Sequence, residues 1–188
     1  MALKSTIYKA SLAIADMDRG YYADHSLTIA RHPSENDERM MVRLLAFVLN
    51  ASERLAFGKG LSDPDDPDLV ERDLTGAVQH WIEVGQPDDR TIRKACGKAE
   101  RVTVLAYSST LPIWWSGIEG AVMRLRNLAV LTVPSEQVEA LATLSQRTMH
   151  LQCSVQEGSV WIGDAERQVQ LDVAVLMQRK DPPERVRG

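Results

Sequence analysis

The chain has 188 residues, a formal net charge of −4 and 26% charged residues, which is the size and composition of one globular domain. Its 44% of hydrophobic residues excludes a disordered chain, a collagen and a coiled coil. The acidic balance argues against a coat protein for nucleic acid but leaves a local basic patch open. No apolar leader or window of about 20 apolar residues is present, so we expect a cytoplasmic protein without membrane contact.

The cysteines and histidines predict neither a disulfide framework nor a zinc site. Cys96 and Cys153 lie in unrelated segments without a C-x-x-C pair, and we expect both to be buried free thiols. The histidines lie far apart, without ligand spacing. We expect them to be structural or solvated, with His32, beside Arg31, as the best exception. The full set is His25, His32, His80 and His150.

Two common enzyme signatures are absent from the sequence. There is no G-x-x-x-x-G-K-[ST] phosphate loop, and Gly58-Lys59-Gly60 alone is too weak to indicate one. Ser116 lies in Trp115-Ser116-Gly117 rather than in a G-x-S-x-G turn, so a nucleophile elbow is not supported. The chemistry must therefore be sought elsewhere.

The N-terminal part of the chain predicts a β-hairpin followed by a helix. Residues 6–14 and 21–29 alternate between apolar and polar side chains on either side of a turn, as half-buried strands do. Ser34, with Asp37 three residues later, forms a plausible capping box. A helix with an apolar stripe follows, to about Ser52.

The central part predicts a strand, a helix and a strand. A short strand at 55–57 and an acidic, proline-bearing loop at 62–68 come first. Residues 78–84 are apolar and rich in β-formers, a helix runs from Pro87 to about Arg101, and 102–107 form a second apolar strand. Such a unit favours parallel pairing with a right-handed crossover.

The C-terminal third predicts further helices and strands and then a meander. A helix at 114–124, a strand at 128–133 and a helix capped by Ser135 repeat the alternation. Alternating residues then indicate three antiparallel strands, at 149–155, 160–162 and 169–175. We expect a mixed α/β (α+β) fold in a single domain over residues 1–180. Its mixed sheet is flanked by helices, with antiparallel hairpins at both termini, and residues 181–188 form a frayed tail.

Three carboxylates are candidates for chemistry. Glu83 lies inside an apolar strand, where a charge needs a partner or a ligand. Asp73, ten positions earlier, could converge with it, and Mg²⁺ takes one or two carboxylates with water and phosphate oxygens. Glu38 lies at the edge of the first helix's apolar stripe. The alternatives are a structural ion pair for Glu83 and a favourable helix dipole for Glu38.

The predicted helix after Glu83 has a basic face. Arg93, Lys94, Lys98 and Arg101 fall within roughly 80° of Arg90, opposite the apolar residues. A solvated amphipathic helix is the plain interpretation. However, a basic row beside carboxylates also suits phosphodiester hydrolysis, because a metal activates water and cations attract a polyanion.

Several long blocks of the sequence together indicate a family. They are 31–35, 37–41, Glu53-Arg54-Leu55, Asp73-Leu74-Thr75-Gly76, Trp81 through Arg90, and Arg93-Lys94-Ala95. These blocks resemble the YaeQ family of bacterial proteins, and the likeness covers essentially the whole chain. The resemblance implies a variant of the PD-(D/E)XK core, the scaffold of type II restriction enzymes and repair nucleases.

By position, the resemblance implies roles for the acidic residues. Asp73 and Glu83 correspond to metal carboxylates and Glu38 to a helix glutamate common in that superfamily. The sequence departs from the pattern at Gly85, where a lysine is expected. Either Lys94 reaches back from the helix or the active site is incomplete.

Three hypotheses follow. In the first, the protein is a Mg²⁺-dependent nuclease in which Asp73 and Glu83 bind metal, supported by Glu38 and Lys94. In the second, a catalytically incomplete nuclease-fold module binds nucleic acid or a protein partner. In the third, the ligand is unrelated and Trp114-Trp115 anchors a surface, although a core aromatic pair is the plainer interpretation. The candidate nucleic-acid contacts are Arg31, His32, Arg90, Lys94 and Lys98.

Overall fold

The computed structural model describes residues 4–180, which form two β-sheets and four α-helices. In chain order the elements are β1 (Thr6–Asp16), β2 (Tyr21–Arg31), α1 (Asp37–Asn50), β3 (Leu55–Phe57), a 3-10 turn (Gly60–Ser62), β4 (Leu69–Arg72), β5 (Val78–Val84), α2 (Asp89–Lys98), β6 (Arg101–Tyr107), α3 (Leu111–Val122), β7 (Leu128–Val133), α4 (Ser135–Ala142), β8 (Thr148–Gln156), β9 (Ser159–Gly163), β10 (Gln168–Asp172) and β11 (Ala174–Met177). The mixed α/β class expected from the sequence is confirmed. The expected tail at 181–188 lies outside the described residues.

The first sheet joins the two ends of the chain. Its order is β10-β9-β8-β1-β2, and β1 pairs antiparallel with β2 over all eleven residues of each strand, which confirms the predicted hairpin. On its other side β1 runs parallel to β8. Alternate side chains of both strands are buried on one face, as expected of a sheet with one solvated side.

The second sheet contains the predicted strand-helix-strand unit. Its order is β11-β7-β6-β5-β4-β3. Strand β6 runs parallel to both β5 and β7, whereas β3, β4 and β5 form an antiparallel meander. Because β4 and β5 are antiparallel, the first residue of β4 lies beside the end of β5. The candidate site lies at these two strand ends.

The last predicted strand is divided between the two sheets. Residues 169–175 were expected to form one strand, but β10 completes the first sheet and β11 pairs with β7 in the second. The break falls at Val173, whose backbone N–H donates to Gly158 O at 2.9 Å. The alternation of apolar and polar residues continues through this break, so the pattern does not reveal that the chain passes from one sheet to the other.

Helix α1 forms a buried layer between the sheets. All nine residues from Met40 to Val48 are buried, and all of them except Arg43 belong to one apolar cluster with Leu12 of β1 and Ile82 of β5. A helix that is buried on every side is a core element rather than an amphipathic surface helix. Its Arg43 is only 5% exposed, so the helix needs an internal counter-charge.

The cap of α1 differs from the prediction. Asn36 is the N-cap, and its side chain accepts a hydrogen bond from Arg39 N at 2.9 Å. Ser34 instead places its hydroxyl 2.6 Å from His32 Nδ1. Both residue types cap helices well, so the sequence alone could not choose between them.

The other helix boundaries also shift. Helix α2 ends at Lys98 rather than near Arg101, because Ala99 is extended and β6 already begins at Arg101. Helix α3 begins three residues earlier than predicted, at Leu111. Ser135 does not cap helix α4 as predicted: it is the first helical residue, Pro134 is the N-cap, and no side chain caps the helix.

A second apolar cluster lies on the outer face of the six-stranded sheet, under α2 and α3. It contains Trp81, Ile92 and Val104, with Trp114 and Trp115 half-buried against it. Both cysteines are free thiols, as predicted, but only Cys153 is buried; Cys96 is half-buried. None of the described helices has the length and apolarity required to span a bilayer.

His80 is a buried titratable group in the second sheet. Its Nε2 lies 2.7 Å from Thr103 Oγ1 and 3.2 Å from Arg179 Nη2. Burial lowers the pKa of His80 to about 3, and the positive charges of Arg101 and Arg179 act in the same direction. The unfolded chain therefore binds a proton between pH 6.5 and 3 that the native protein excludes.

We expect His80 to destabilise the protein in acid. Its contribution to stability is complete above pH 6.5 and falls by roughly 3 to 5 kcal/mol as the pH falls toward 3. Urea unfolding of His80→Gln should show a shallower loss of stability over this range than the native sequence. His150→Gln, which changes an exposed histidine, is the control; equal slopes for the two variants would contradict the prediction.

Candidate functional site

A cleft of about 380 Å³ opens where β4 begins and β5 ends. Leu69 of β4 pairs with Ile82 of β5 in antiparallel register. The preceding residue, Asp68, therefore lies beside Glu83, the residue after Ile82. Asp68 and Glu83 both line the cleft, together with Arg39 of α1.

Asp68 is held rigidly at the base of the cleft. It is 1% exposed, and its Oδ2 accepts a hydrogen bond from Val84 N at 2.8 Å while Oδ1 accepts one from Arg39 Nη2 at 2.8 Å. Gly60 packs against it, with a positive φ of 50°. A Cβ at Gly60 would lie 2.8 Å from Asp68 Oδ1, so a larger residue there would displace the carboxylate.

Glu83 is the titratable partner of Asp68. Its Oε1 accepts a hydrogen bond from Trp81 Nε1 at 2.8 Å. The pKa of Glu83 is raised to about 7, chiefly by burial and also by the negative charge and hydrogen-bonding contact of Asp68, whereas Trp81 and Arg39 oppose the change. Two carboxyl groups this close favour holding a proton or a cation between them.

Arg39 connects the cleft to the buried helix. Its Nη1 donates to Glu35 Oε1 at 3.1 Å, and its Nη2 also approaches Val84 O at 3.4 Å. Glu35, which is 6% exposed, accepts from Arg43 Nε and Nη2 at 2.7 Å each. The carboxylates of Glu35 and Asp68 thus neutralise the two arginines of α1.

The structure does not bring Asp73 and Glu83 together. Asp73 lies in the turn of the β4–β5 hairpin, where its Oδ1 accepts from Thr75 N at 2.8 Å and Ala77 N at 2.9 Å. Glu83 follows Val78, the first residue of β5, by five positions, so its backbone lies about 16 Å along the strand from Val78 at 3.3 Å per residue. Asp73 therefore lies at the turn end of the hairpin and Glu83 near the opposite end of β5. Asp73 shapes the turn, and Asp68 occupies the position expected of it.

Glu38 lies near the cleft but outside its hydrogen-bond network. It is half-buried in the first turn of α1. Burial raises the pKa of Tyr107 to about 12, and the charges of Glu38, Glu35 and Asp68 act in the same direction. Glu35, rather than Glu38, is the glutamate that is linked to Asp68 through Arg39.

The basic residues of α2 are engaged by neighbours. Lys94 forms an ion pair with Asp65 of the acidic loop, not with Asp68 or Glu83. Lys98 Nζ lies 5.8 Å from the centroid of the Trp81 ring. Arg93 pairs with Asp89, and Arg90 is exposed. These basic residues lie at the surface, as expected. Lys94 does not reach into the cleft, which is one of the two alternatives that the sequence left open.

Arg31 and His32 lie at the end of β2. Arg31 forms an ion pair with Asp37, and its guanidinium lies 5.4 Å from the centroid of the Tyr8 ring. His32 lines a second cavity, which shares Arg39 with the cleft. Neither residue lines the cleft itself.

Sequence reasoning missed Asp68 and Arg39. The sequence predicts a loop over 62–68, which ends at Asp68, yet Asp68 directly precedes the apolar residues of β4, so its carboxylate lies at the start of a strand. Arg39 carried a weaker signal, since its position on the helix pointed away from the apolar stripe. Only the packing of α1 against the strand ends brings it to Asp68.

Two carboxylates form a set that Mg²⁺ can use, because this ion keeps several waters and binds few protein ligands. Trp81 Nε1 donates to Glu83 Oε1, and Arg39 Nη2 and Val84 N donate to the two oxygens of Asp68, one each. Among residues 4–180 there is no cluster of three or more His, Cys, Asp or Glu residues suited to a metal. Asp68 and Glu83 therefore fit a lightly coordinated ion, not a closed structural metal site.

Comparison with known proteins identifies the family. The family model described as YaeQ protein matches residues 1–173. "Uncharacterized protein YaeQ" of Salmonella typhi is 42% identical over 179 residues, covering 95% of this chain and 99% of that protein; its counterpart in Escherichia coli (strain K12) is 41% identical with the same coverage.

Solved structures agree with this assignment. The YaeQ protein from Xanthomonas axonopodis pv. citri superposes with a TM-score of 0.90 at 46% identity, covering 94% of this chain and 99% of the other. The YaeQ protein from Pseudomonas syringae gives a TM-score of 0.89 at 41% identity, with coverages of 93% and 97%. The resemblance found in the sequence is confirmed: this chain belongs to the YaeQ family.

Proposed function

We propose that the protein is a metal-dependent nuclease that hydrolyses phosphodiester bonds of nucleic acid in the Asp68–Glu83 cleft. The observation that carries this proposal is the contact between these two carboxyl groups at adjacent strand ends, with a guanidinium 2.8 Å from one of them. Clusters of this kind, with a strongly shifted pKa in a cleft, are typical of functional sites.

Asp68 and Glu83 would hold the Mg²⁺ ion. Bound there, the ion would lower the pKa of a coordinated water and offset negative charge on the phosphate. The order Pro67-Asp68 followed by Glu83-Val84 on paired strands also supports a restriction-endonuclease-like core.

Arg39 supplies the positive charge that the pattern expects of a lysine at position 85. Gly85 has a φ of 103°, a conformation that disfavours an L-residue, so a lysine side chain there would be strained. Arg39 approaches the same place from α1 and is positioned by Glu35. Its fixed charge would stabilise negative charge that develops on the phosphate during hydrolysis.

Substitution of the cleft carboxylates should remove metal binding and cleavage together. For Asp68→Asn and Glu83→Gln we expect Mn²⁺ affinity, measured by calorimetry, to fall at least about tenfold, and nicking of labelled DNA and RNA to disappear. Asp73→Asn is the matched control, since it removes an equal charge from the hairpin turn. Metal binding lost in Asp73→Asn but retained in Glu83→Gln would contradict the proposed site.

The carboxyl pair should also leave a signature in the stability of the metal-free protein. The pKa of Glu83 is raised from 4.5 to about 7, so the native state retains a proton that the unfolded state releases. The free energy of unfolding should therefore fall by about 3 kcal/mol as the pH rises from 4.5 to above 7.

Glu83→Gln should abolish this fall, because the amide does not titrate and can still accept from Trp81. We expect the variant to match the native protein near pH 4.5 and to exceed it in stability at pH 8, measured by urea unfolding. Glu139→Gln, at an exposed position of α4, controls for the change of charge. A stability difference that is constant with pH would count against a protonated Glu83.

A second candidate function is binding of nucleic acid without cleavage. The ion pair between Lys94 and Asp65 favours it, because the acidic loop competes for a cation that hydrolysis was expected to use. If the basic face of α2 binds a polyanion, Asp65→Asn should strengthen binding severalfold and Lys94→Ala should weaken it, with a steep dependence on salt. Fluorescence anisotropy with labelled oligonucleotides measures both; affinities unchanged in both variants would exclude this face.

A further inference from the structure

A second cavity lies on the other side of Arg39. It encloses about 290 Å³ between the end of β2, the start of α1 and the 58–62 segment. Three cationic side chains, Arg39, Arg43 and Lys59, line it together with His32 and the carboxylate of Glu35. The cavity adjoins the Asp68–Glu83 cleft, and the two share the lining residues Arg39, Gly60 and Leu61.

Glu35 does not provide acceptors for all of these donors. Its Oε1 accepts from Arg43 Nε at 2.7 Å and Arg39 Nη1 at 3.1 Å, and its Oε2 accepts from Arg43 Nη2 at 2.7 Å and His32 N at 3.2 Å. Each carboxylate oxygen offers about two lone-pair sites. The acceptor capacity of Glu35 is therefore already used.

Some hydrogen-bond donors of the two arginines have no acceptor in Glu35. No residue of the described part of the chain accepts from Arg43 Nη1 or Arg39 Nε. Arg43 is only 5% exposed, yet among residues 4–180 the single buried side-chain nitrogen or oxygen without a partner is Arg179 Nε. Arg43 Nη1 therefore keeps some accessible surface, and Arg43 lines the cavity on one side while its guanidinium lies 5.6 Å from the centroid of the Phe57 ring.

The cationic side chains that line the cavity outnumber its carboxylates. Glu35 and Asp68 neutralise the two arginines. Asp66 Oδ2 accepts from the backbone N–H of Lys59 at 2.7 Å, whereas the Lys59 ammonium has no carboxylate of the described residues within salt-bridge distance. The hydroxyl-bearing residues Ser5 and Ser62 line the same space. These cationic and hydroxyl donors come from several elements and converge on one volume.

We propose that this cavity binds a phosphoryl group. A phosphate presents oxygens in a tetrahedral arrangement, which suits donors that approach from different directions, and charge-assisted hydrogen bonds from guanidinium and ammonium groups are the strongest that it forms. A phosphate occupies only part of 290 Å³, so the cavity has room for an attached group. The site does not depend on metal binding or cleavage at Asp68 and Glu83.

Calorimetric titration with inorganic phosphate at pH 7 and low ionic strength tests the proposal. We expect the native protein to bind one phosphate, Lys59→Ala to weaken this affinity about tenfold or more, and Lys59→Arg to retain it. Arg167→Ala removes a positive charge from an exposed site and should change little. Absence of binding by the native protein, or equal affinities in the Lys59→Ala and Arg167→Ala variants, would overturn the proposal.

Further titrations distinguish the source of the phosphoryl group. A nucleoside 5′-monophosphate that binds more tightly than a dinucleotide phosphodiester indicates a free monoester ligand, whereas comparable affinities indicate the backbone of a nucleic acid; both results support the site provided that Lys59→Ala weakens them. Glu83→Gln should leave phosphate binding intact. Loss of the proposed nuclease function with phosphate binding preserved would therefore separate the two conclusions.

Discussion

The structure depends on neutralising two arginines on a helix that is buried between two sheets. Arg43 lies in the middle of α1, and a buried guanidinium without a counter-charge destabilises a protein by about 3 to 5 kcal/mol. Glu35, just before the helix, binds Arg43 through both carboxylate oxygens and also binds Arg39. Arg39 in turn reaches Asp68 at the start of β4. One network therefore joins the core to the cleft.

This network gives the cleft its electrostatic character. Asp68 is fixed by Arg39 and by the backbone N–H of Val84, so it is already neutralised, whereas Glu83 is half-buried and accepts a hydrogen bond from the Trp81 indole N–H. The negative charge of Asp68 therefore raises the pKa of Glu83. A cation shared by the two groups would relieve it. The same Arg39 is also a wall of the phosphoryl-sized cavity, so both candidate sites rest on a single side chain.

Local patterns predicted much of the fold and part of the site. The N-terminal hairpin and the β5-α2-β6 unit follow from alternation and short apolar runs, and Glu83 was identified because a carboxylate inside such a run needs an explanation. The predicted convergence of Asp73 with Glu83 was wrong, because the number of residues between them does not indicate where the hairpin turns. Its side chain satisfies the turn itself, and the residue across from Glu83 is set by the register of β4 against β5.

Sequence information was enough to predict the family, the mixed α/β class, most elements and an acid within an apolar strand at Glu83, because these follow from local composition and from long matching blocks. The three-dimensional packing was needed to show that β1 lies parallel to β8, that β11 pairs in the second sheet, and that Asp68 and Arg39 line one cleft with Glu83. Those contacts join residues that are far apart in the chain. They form through burial of the two faces of α1 and pairing of distant backbone groups, which no local pattern encodes.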